Sequence, residues 1–188
     1  MHPLDRTLFL WLNLDPGDPD FIIGLAKLAS QWLPDLVLGG LGLVLLLGPA
    51  RARRSLLPVV GAMALAWFGA DLLKDLIVAP RPYAQGLGTD WLGRTGASGF
   101  PSSHASIAMA FAVAAWLNPW PFKVRVLCVA AAVLIAWSRL ALGAHFPSDV
   151  AGATVLGALS ALAAHQALAY VARARQRKAV AVNLPDRS

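Results

Sequence analysis

Three short runs of this chain hold residues suited to handling a phosphoryl group. Lys74 is separated by six residues from Arg81 and Pro82, then come Pro101, Ser102, Ser103 and His104, and finally Ser138, Arg139, His145 and Asp149 within SRLALGAHFPSD. Arginine and lysine donate hydrogen bonds to phosphate oxygens, histidine serves as nucleophile or acid, and a carboxylate orients an imidazole. His145 and Asp149 are four apart at a helix start, so both can lie on one face, with the carboxylate holding one ring N–H and the other nitrogen left to attack. The competing account of the pair is a capping aspartate beside an interfacial histidine, and convergence with His104 and Arg139 weighs toward catalysis. Ser102 and Ser103 open a helix whose first N–H groups lack internal partners and carry partial positive charge, which suits phosphate oxygens; capping alone also accounts for a serine there. Lys74 alone reads equally well as an interfacial anchor, and Asp71, three residues before it, could pair with it.

The elements that must position these residues are membrane helices. The chain has 188 residues, 57% of them hydrophobic and only 14% charged, with no glutamate. At a mean hydropathy of +0.60, a soluble domain of this size could hardly bury its apolar surface, whereas several stretches reach the ~20 residues that cross a hydrocarbon core. The expected fold class is all-α: a polytopic bundle of about five transmembrane helices, or six if the N-terminal amphipathic segment crosses separately. Spans are expected at Leu33 to Leu47, Ser55 to Val78, Ser102 or Ser103 to Asn118, Phe122 to Leu142, and Pro147 to about Val171. Phe21 to Trp32 reads as an interfacial helix or as a continuation of the first span. Pro80-Arg81-Pro82 cannot continue a helix, and the glycines at 86, 88, 93, 96 and 99 mark a loop. The expected division is an N-terminal interfacial segment (1–32), a transmembrane catalytic domain (33–172) and a basic tail (173–188). The acidic N-terminal twenty residues lack the pattern of a signal peptide, and no cleavage is expected.

This layout puts Lys74, Arg81, His104, Arg139, His145 and Asp149 on one membrane face. The other face collects Arg51, Arg53, Arg54, Lys123, Arg125, Arg173, Arg175, Arg177, Lys178 and Arg187, with only Asp186 against them. The positive-inside rule makes that face cytoplasmic, so the cluster is expected to face the periplasm or exterior of a multi-pass inner-membrane protein. Ala153, Gly157 and Ala161 read as a small-residue packing seam, His165 beyond them as a hydrogen-bonding polar residue rather than a ligand. Trp91, Trp116, Trp120 and Trp137 read as interface anchors, Cys128 as a buried hydrophobe, and His2 carries no signal.

The three runs, in order, resemble the Lys-x6-Arg-Pro, Pro-Ser-Gly-His and Ser-Arg-x5-His-x3-Asp elements of the type 2 phosphatidic acid phosphatase (PAP2) family. The resemblance spans about residues 20 to 172, and Ser103 stands where the family has glycine. It implies a lipid phosphatase in which His145 forms a phosphohistidine, Asp149 orients it, and His104 protonates the leaving oxygen and then activates water. Lys74, Arg81, Arg139 and the N–H groups near Ser102 and Ser103 would hold the non-bridging oxygens. No metal and no cofactor is implied, and a single carboxylate would make a poor Mg²⁺ cage. The implied partners are a membrane lipid phosphate and the bilayer, with no nucleic acid; oligomeric state stays open.

The compact layout is similar to that of the bacterial undecaprenyl pyrophosphate phosphatases of the family, which places undecaprenyl pyrophosphate first. Many of those enzymes have an acidic residue in place of Ser103 and no counterpart of Lys74, so phosphatidic acid, phosphatidylglycerol phosphate and lipid A phosphate remain open. A soluble vanadate-dependent haloperoxidase is disfavoured by the apolar spans. An anion channel or transporter is disfavoured by a cluster at one face and the lack of internal repeats.

Overall fold

The computed structural model describes residues 3–93 and 98–182, with side chains to 178; His2, Gly96, Asp186 and Arg187 lie outside the described residues. The fold is all-helical: α1 (Pro3–Leu12), α2 (Asp20–Gln31), α3 (Leu33–Leu47), α4 (Ala50–Leu76), α5 (Ser103–Leu117), α6 (Phe122–Ala141) and α7 (Pro147–Val182), with one 3₁₀ turn at Tyr83–Gln85. Asp20–Leu47, Ala50–Leu76, Phe122–Ala141 and Pro147–Lys178 are each long and apolar enough to cross a membrane, and Ser103–Leu117 is a shorter apolar helix beside them. The chain is a polytopic helical membrane bundle.

Proline sets many of the boundaries. Pro49 and Pro121 cap α4 and α6 in non-helical conformation, and Pro147 opens α7, where its missing N–H costs nothing. Pro34 sits at the start of α3, and Trp32 between α2 and α3 keeps helical dihedrals. The stretch Phe21–Trp32 thus continues into α3, the two together forming the apolar run Asp20–Leu47. Two boundaries differ from those read in the sequence. α4 begins earlier, through Arg51–Arg54, and tolerates Pro58 in its body. α7 continues past Val171 to Val182, because Ala, Arg, Gln and Lys are strong helix formers and a change in polarity does not end a helix.

The core is the packing of α4, α5 and α7 on one another, with α6 against α5 and α2 against α6. α5 is central, burying Ala105, Ser106, Ala108, Ala110, Phe111, Ala112, Ala114 and Ala115. Small side chains let its neighbours approach closely, the usual route to helix association where lipid removes the hydrophobic drive. The seam on α7 is present: Ala153, Gly157 and Ala161 are buried, and a Cβ on Gly157 would stand 2.5 Å from the Ser106 carbonyl oxygen and 2.8 Å from the Ala110 nitrogen. His165 does not extend that seam; it is exposed while Ala164 turns inward. α3 is the opposite case, with no buried residue. Alternating directions put the end of α4, the start of α5, the end of α6 and the start of α7 at one end of the bundle, and Arg51–Arg54, Lys123, Arg125 and Arg173–Lys178 at the other.

Candidate active site

At the end of α6 the helix stops at Ala141 and the chain turns through Leu142, Gly143 and Ala144 into His145. Both Ala144 and His145 donate their backbone N–H to the Arg139 carbonyl, at 3.0 and 3.2 Å. Arg139 and His145 are therefore held in one tight corner, with Arg139 0% and His145 2% exposed. α7 begins at once, and Asp149, 4% exposed, reaches back from its first turn. Its Oδ2 accepts from the Phe146 N–H at 2.9 Å and lies 3.4 Å from His145 Nδ1. The carboxylate thus caps α7 and faces the imidazole at once.

Arg81 comes from the loop after α4 and is 7% exposed. Its Nη1 donates to the Ala144 carbonyl at 3.1 Å and lies 3.3 Å from His145 Nε2. A guanidinium can only donate, so Nε2 is the accepting nitrogen and the ring proton sits on Nδ1, toward Asp149. This is the tautomer in which Nε2 offers its lone pair. Gly99 lets the loop pass close by: a Cβ there would stand 3.1 Å from Asp149 Oδ2 and 3.3 Å from Arg81 Cγ.

The start of α5 completes the cluster. Ser102 is the N-cap in extended conformation, its N–H donating to the Asp149 carbonyl at 3.3 Å. Its hydroxyl makes no capping bond and is fully buried without a hydrogen-bond partner. Capping therefore does not account for this serine, whereas an anion at the helix N-terminus would engage it. The Lys74 ammonium bonds the Ser103 hydroxyl across the α4–α5 interface. Asp71, which the sequence offered as its partner, is exposed. His104 stands in the first turn of α5 and borders a cavity of about 180 Å³ that is lined also by Asp35 and by apolar residues such as Val37, Leu38, Met63, Ile107 and Phe111.

The structure thus brings Arg81 onto His145, His145 onto Asp149, Ser102 onto Asp149, and Lys74 onto Ser103, with Arg139 tied to His145 through the backbone. Two further residues belong here that the sequence reading passed over. Ser30 of α2 is buried and its hydroxyl is bonded by Arg139 Nη1. Asn13 is buried at the back of the His145 corner. Ser30 had a signal, since it continues the buried face Ile23, Ala26, Ala29 of an amphipathic helix. Trp91 and Trp137 pack against the cluster of Ala26, Ala141 and Leu142, and Trp91 Nε1 donates to the Leu14 carbonyl at 2.8 Å. Among the described residues no group of three His, Cys, Asp or Glu is placed to hold a metal ion.

Comparison with known proteins gives the family. The chain is 32% identical over 167 residues to the Escherichia coli (strain K12) protein named "Putative undecaprenyl-diphosphatase YbjG", covering 87% of this chain and 82% of that one. It is 35% identical over 92 residues to phosphatidylglycerophosphatase B of the same organism, covering 46% of this chain and 35% of that protein. The crystal structure of Aquifex aeolicus LpxE superposes with a TM-score of 0.70 at 22% identity, over 88% of this chain and 96% of that one. The sequence profile of the PAP2 superfamily matches residues 55–173. That stretch contains all three motif runs, and with it the chain belongs to the PAP2 superfamily, whose members are phosphatases and diphosphatases acting on lipid phosphates.

Proposed function

We propose that this protein hydrolyses a phosphate or pyrophosphate from a membrane lipid by way of a phosphohistidine on His145, with undecaprenyl pyrophosphate as the preferred substrate. The observation that carries the mechanism is the placement of His145 with Arg81 Nη1 3.3 Å from Nε2 and Asp149 Oδ2 3.4 Å from Nδ1, which favours the tautomer whose lone pair is on Nε2, toward the cationic side of the site. Nε2 attacks phosphorus, and the bond to the lipid-side oxygen breaks as His104 protonates it. Asp149 stabilises the imidazole as charge develops. His104 then takes a proton from water, which attacks the phosphohistidine and releases inorganic phosphate with His145 restored. Lys74, Arg81, Arg139, Ser102 and the first N–H groups of α5 hold the non-bridging oxygens throughout; stabilising developing charge and holding geometry are the main demands of phosphoryl transfer. No metal ion takes part.

Two observations support a lipid as the substrate. The cluster sits at one end of a membrane bundle, and the cavity beside His104 is walled mostly by apolar residues of α3, α4, α5 and α6, with Asp35 also at its wall. Preference for undecaprenyl pyrophosphate rests on identity to the Escherichia coli diphosphatase over most of both chains. Lys74, bonded to Ser103, favours a second reading, a monophosphate such as phosphatidylglycerol phosphate, because a lysine there matches the family's Lys-x6-Arg-Pro element. The basic residues at the opposite end support a site facing the periplasm or exterior, with the end of α7 in the cytoplasm.

The test is phosphate release by purified wild type and His145→Ala in detergent with EDTA, from undecaprenyl pyrophosphate, phosphatidylglycerol phosphate and phosphatidic acid in parallel. Release abolished by the substitution, and fastest from the diphosphate, is the expected result. Faster release from a monophosphate overturns the substrate, and full activity of His145→Ala overturns the mechanism.

A further inference from the structure

α1 and the turn behind it lie against the end of the bundle that carries His145, outside the stretch matched by the superfamily profile. Phe9 is fully buried, its ring edge-on to Phe146 with centroids 5.2 Å apart. Asp5 accepts from the Ser148 N–H at 2.9 Å and from its hydroxyl at 2.7 Å, at the first turn of α7. Asn13 follows α1 and makes three hydrogen bonds. Its Nδ2 donates to the carbonyls of Ala141 at 3.0 Å and Thr89 at 3.1 Å, and its Oδ1 accepts from the Thr89 N–H at 2.6 Å. One amide therefore ties the loop after α4 to the last residue of α6.

Two glycines make room for it. Gly88 and Gly143 have φ of 65° and 73°, where side chains are strained. A Cβ on Gly88 would overlap Asn13 Oδ1 and Phe9, and one on Gly143 would overlap the Thr89 carbonyl and stand 3.3 Å from Asn13 Nδ2. Gly143 belongs to the corner that carries His145, and Arg81, which faces Nε2, donates to the next carbonyl in it, that of Ala144. The amide thus bonds the Ala141 carbonyl, three residues before Ala144, and packs on the corner's glycine.

We propose that Asn13 is a positioning residue for the nucleophile: through Ala141, Gly143 and Thr89 it fixes the corner that aims His145 Nε2. This rests on the reading of His145 as nucleophile. Losing the two donations lets the corner shift while Lys74, Arg81, Ser102 and Ser103 still bind phosphate. The chemical step should suffer and substrate binding should not.

The decisive variant is Asn13→Asp, which keeps the shape and the acceptor for the Thr89 N–H but removes both donors. Asn13→Ala accompanies it, and Asn13→Asp decides the matter if the alanine variant does not fold. The readouts are kcat, KM and inhibition by orthovanadate, which takes the five-coordinate geometry of the phosphoryl transition state on the attacking nitrogen. The expected result is a KM within about twofold of wild type and a fall in kcat of about tenfold, well inside the ~10²-fold that a 1 Å misplacement can cost. The vanadate inhibition constant should rise by a comparable factor. An unchanged kcat overturns the proposal. So does a lower kcat with unchanged vanadate inhibition, which signals only a smaller folded fraction. If wild type is insensitive to vanadate and His145→Ala stays active, the nucleophile reading itself fails and takes this proposal with it.

Discussion

Asp149→Asn separates the two roles that one carboxylate fills. Oδ2 of Asp149 caps α7 by accepting from the Phe146 N–H at 2.9 Å and faces His145 Nδ1 at 3.4 Å. The same oxygen serves both, so asparagine with its Oδ1 in that place keeps the cap and an acceptor for the Nδ1 proton but loses the negative charge. The imidazole keeps Nε2 toward the Arg81 N–H, and what is lost is the carboxylate that stabilises the ring as it becomes cationic. A hydrogen bond to a charged group contributes ~1.5–3 kcal/mol, which is roughly 10- to 150-fold at ~1.4 kcal/mol per decade. The expected loss in kcat is about 10²-fold, below the ~10⁴-fold of the comparable Asp→Asn change in a Ser-His-Asp triad. KM should stay within a few-fold, because the phosphate donors are untouched. The assay is phosphate release from detergent-solubilised lipid across substrate concentrations, with thermal unfolding followed in parallel. Retention of kcat within threefold would refute the reasoning, leaving Asp149 as a helix cap whose substitution by alanine, not asparagine, lowers the melting temperature.

Ser30→Ala removes a partner of the buried Arg139 guanidinium; the expected effect is a rise in KM of about tenfold, the scale of one hydrogen bond to a charged group, checked by steady-state kinetics. Gly157→Ala forces a Cβ to within 2.5 Å of the Ser106 carbonyl oxygen; overpacking of this kind costs about 1–3 kcal/mol, seen as a lower melting temperature with unchanged KM in the protein that remains folded. EDTA should leave kcat unchanged, and stimulation by added Mg²⁺ would contradict the metal-free mechanism.

The membrane class and the order of spans were legible because lipid demands long apolar helices, and Pro80, Pro82, Pro121 and Pro147 mark breaks that tertiary structure cannot erase. The grouping of Arg81, His145 and Asp149 was legible for a similar reason. His145 and Asp149 sit within one helical turn, and alternating span directions bring Arg81 to the same end. The N-terminal contributions were not. Nothing local in Asn13 or Asp5 tells that one binds the Ala141 carbonyl and the other the start of α7, since these bonds span 128 and 143 residues. Ser30 and Trp91 were hidden in the same way, polar groups on apolar faces whose partners only the packing reveals. The far end of α7 was misplaced because composition turns polar at Arg173 while helix propensity does not fall.

That uninterrupted α7 also sets a length. Asp149 in its first turn and Arg173 near its basic end are 24 residues apart, about 36 Å along a helix axis, against a hydrocarbon thickness of ~30 Å. Arginine and lysine side chains at a helix end favour a headgroup layer, so a helix of this length is expected to act as a ruler that sets how deep the His145 corner rides in the opposite one. A thicker bilayer is then expected to draw that corner toward the acyl chains and a thinner one to lift it toward water, and phosphate release in vesicles of different acyl-chain length checks this.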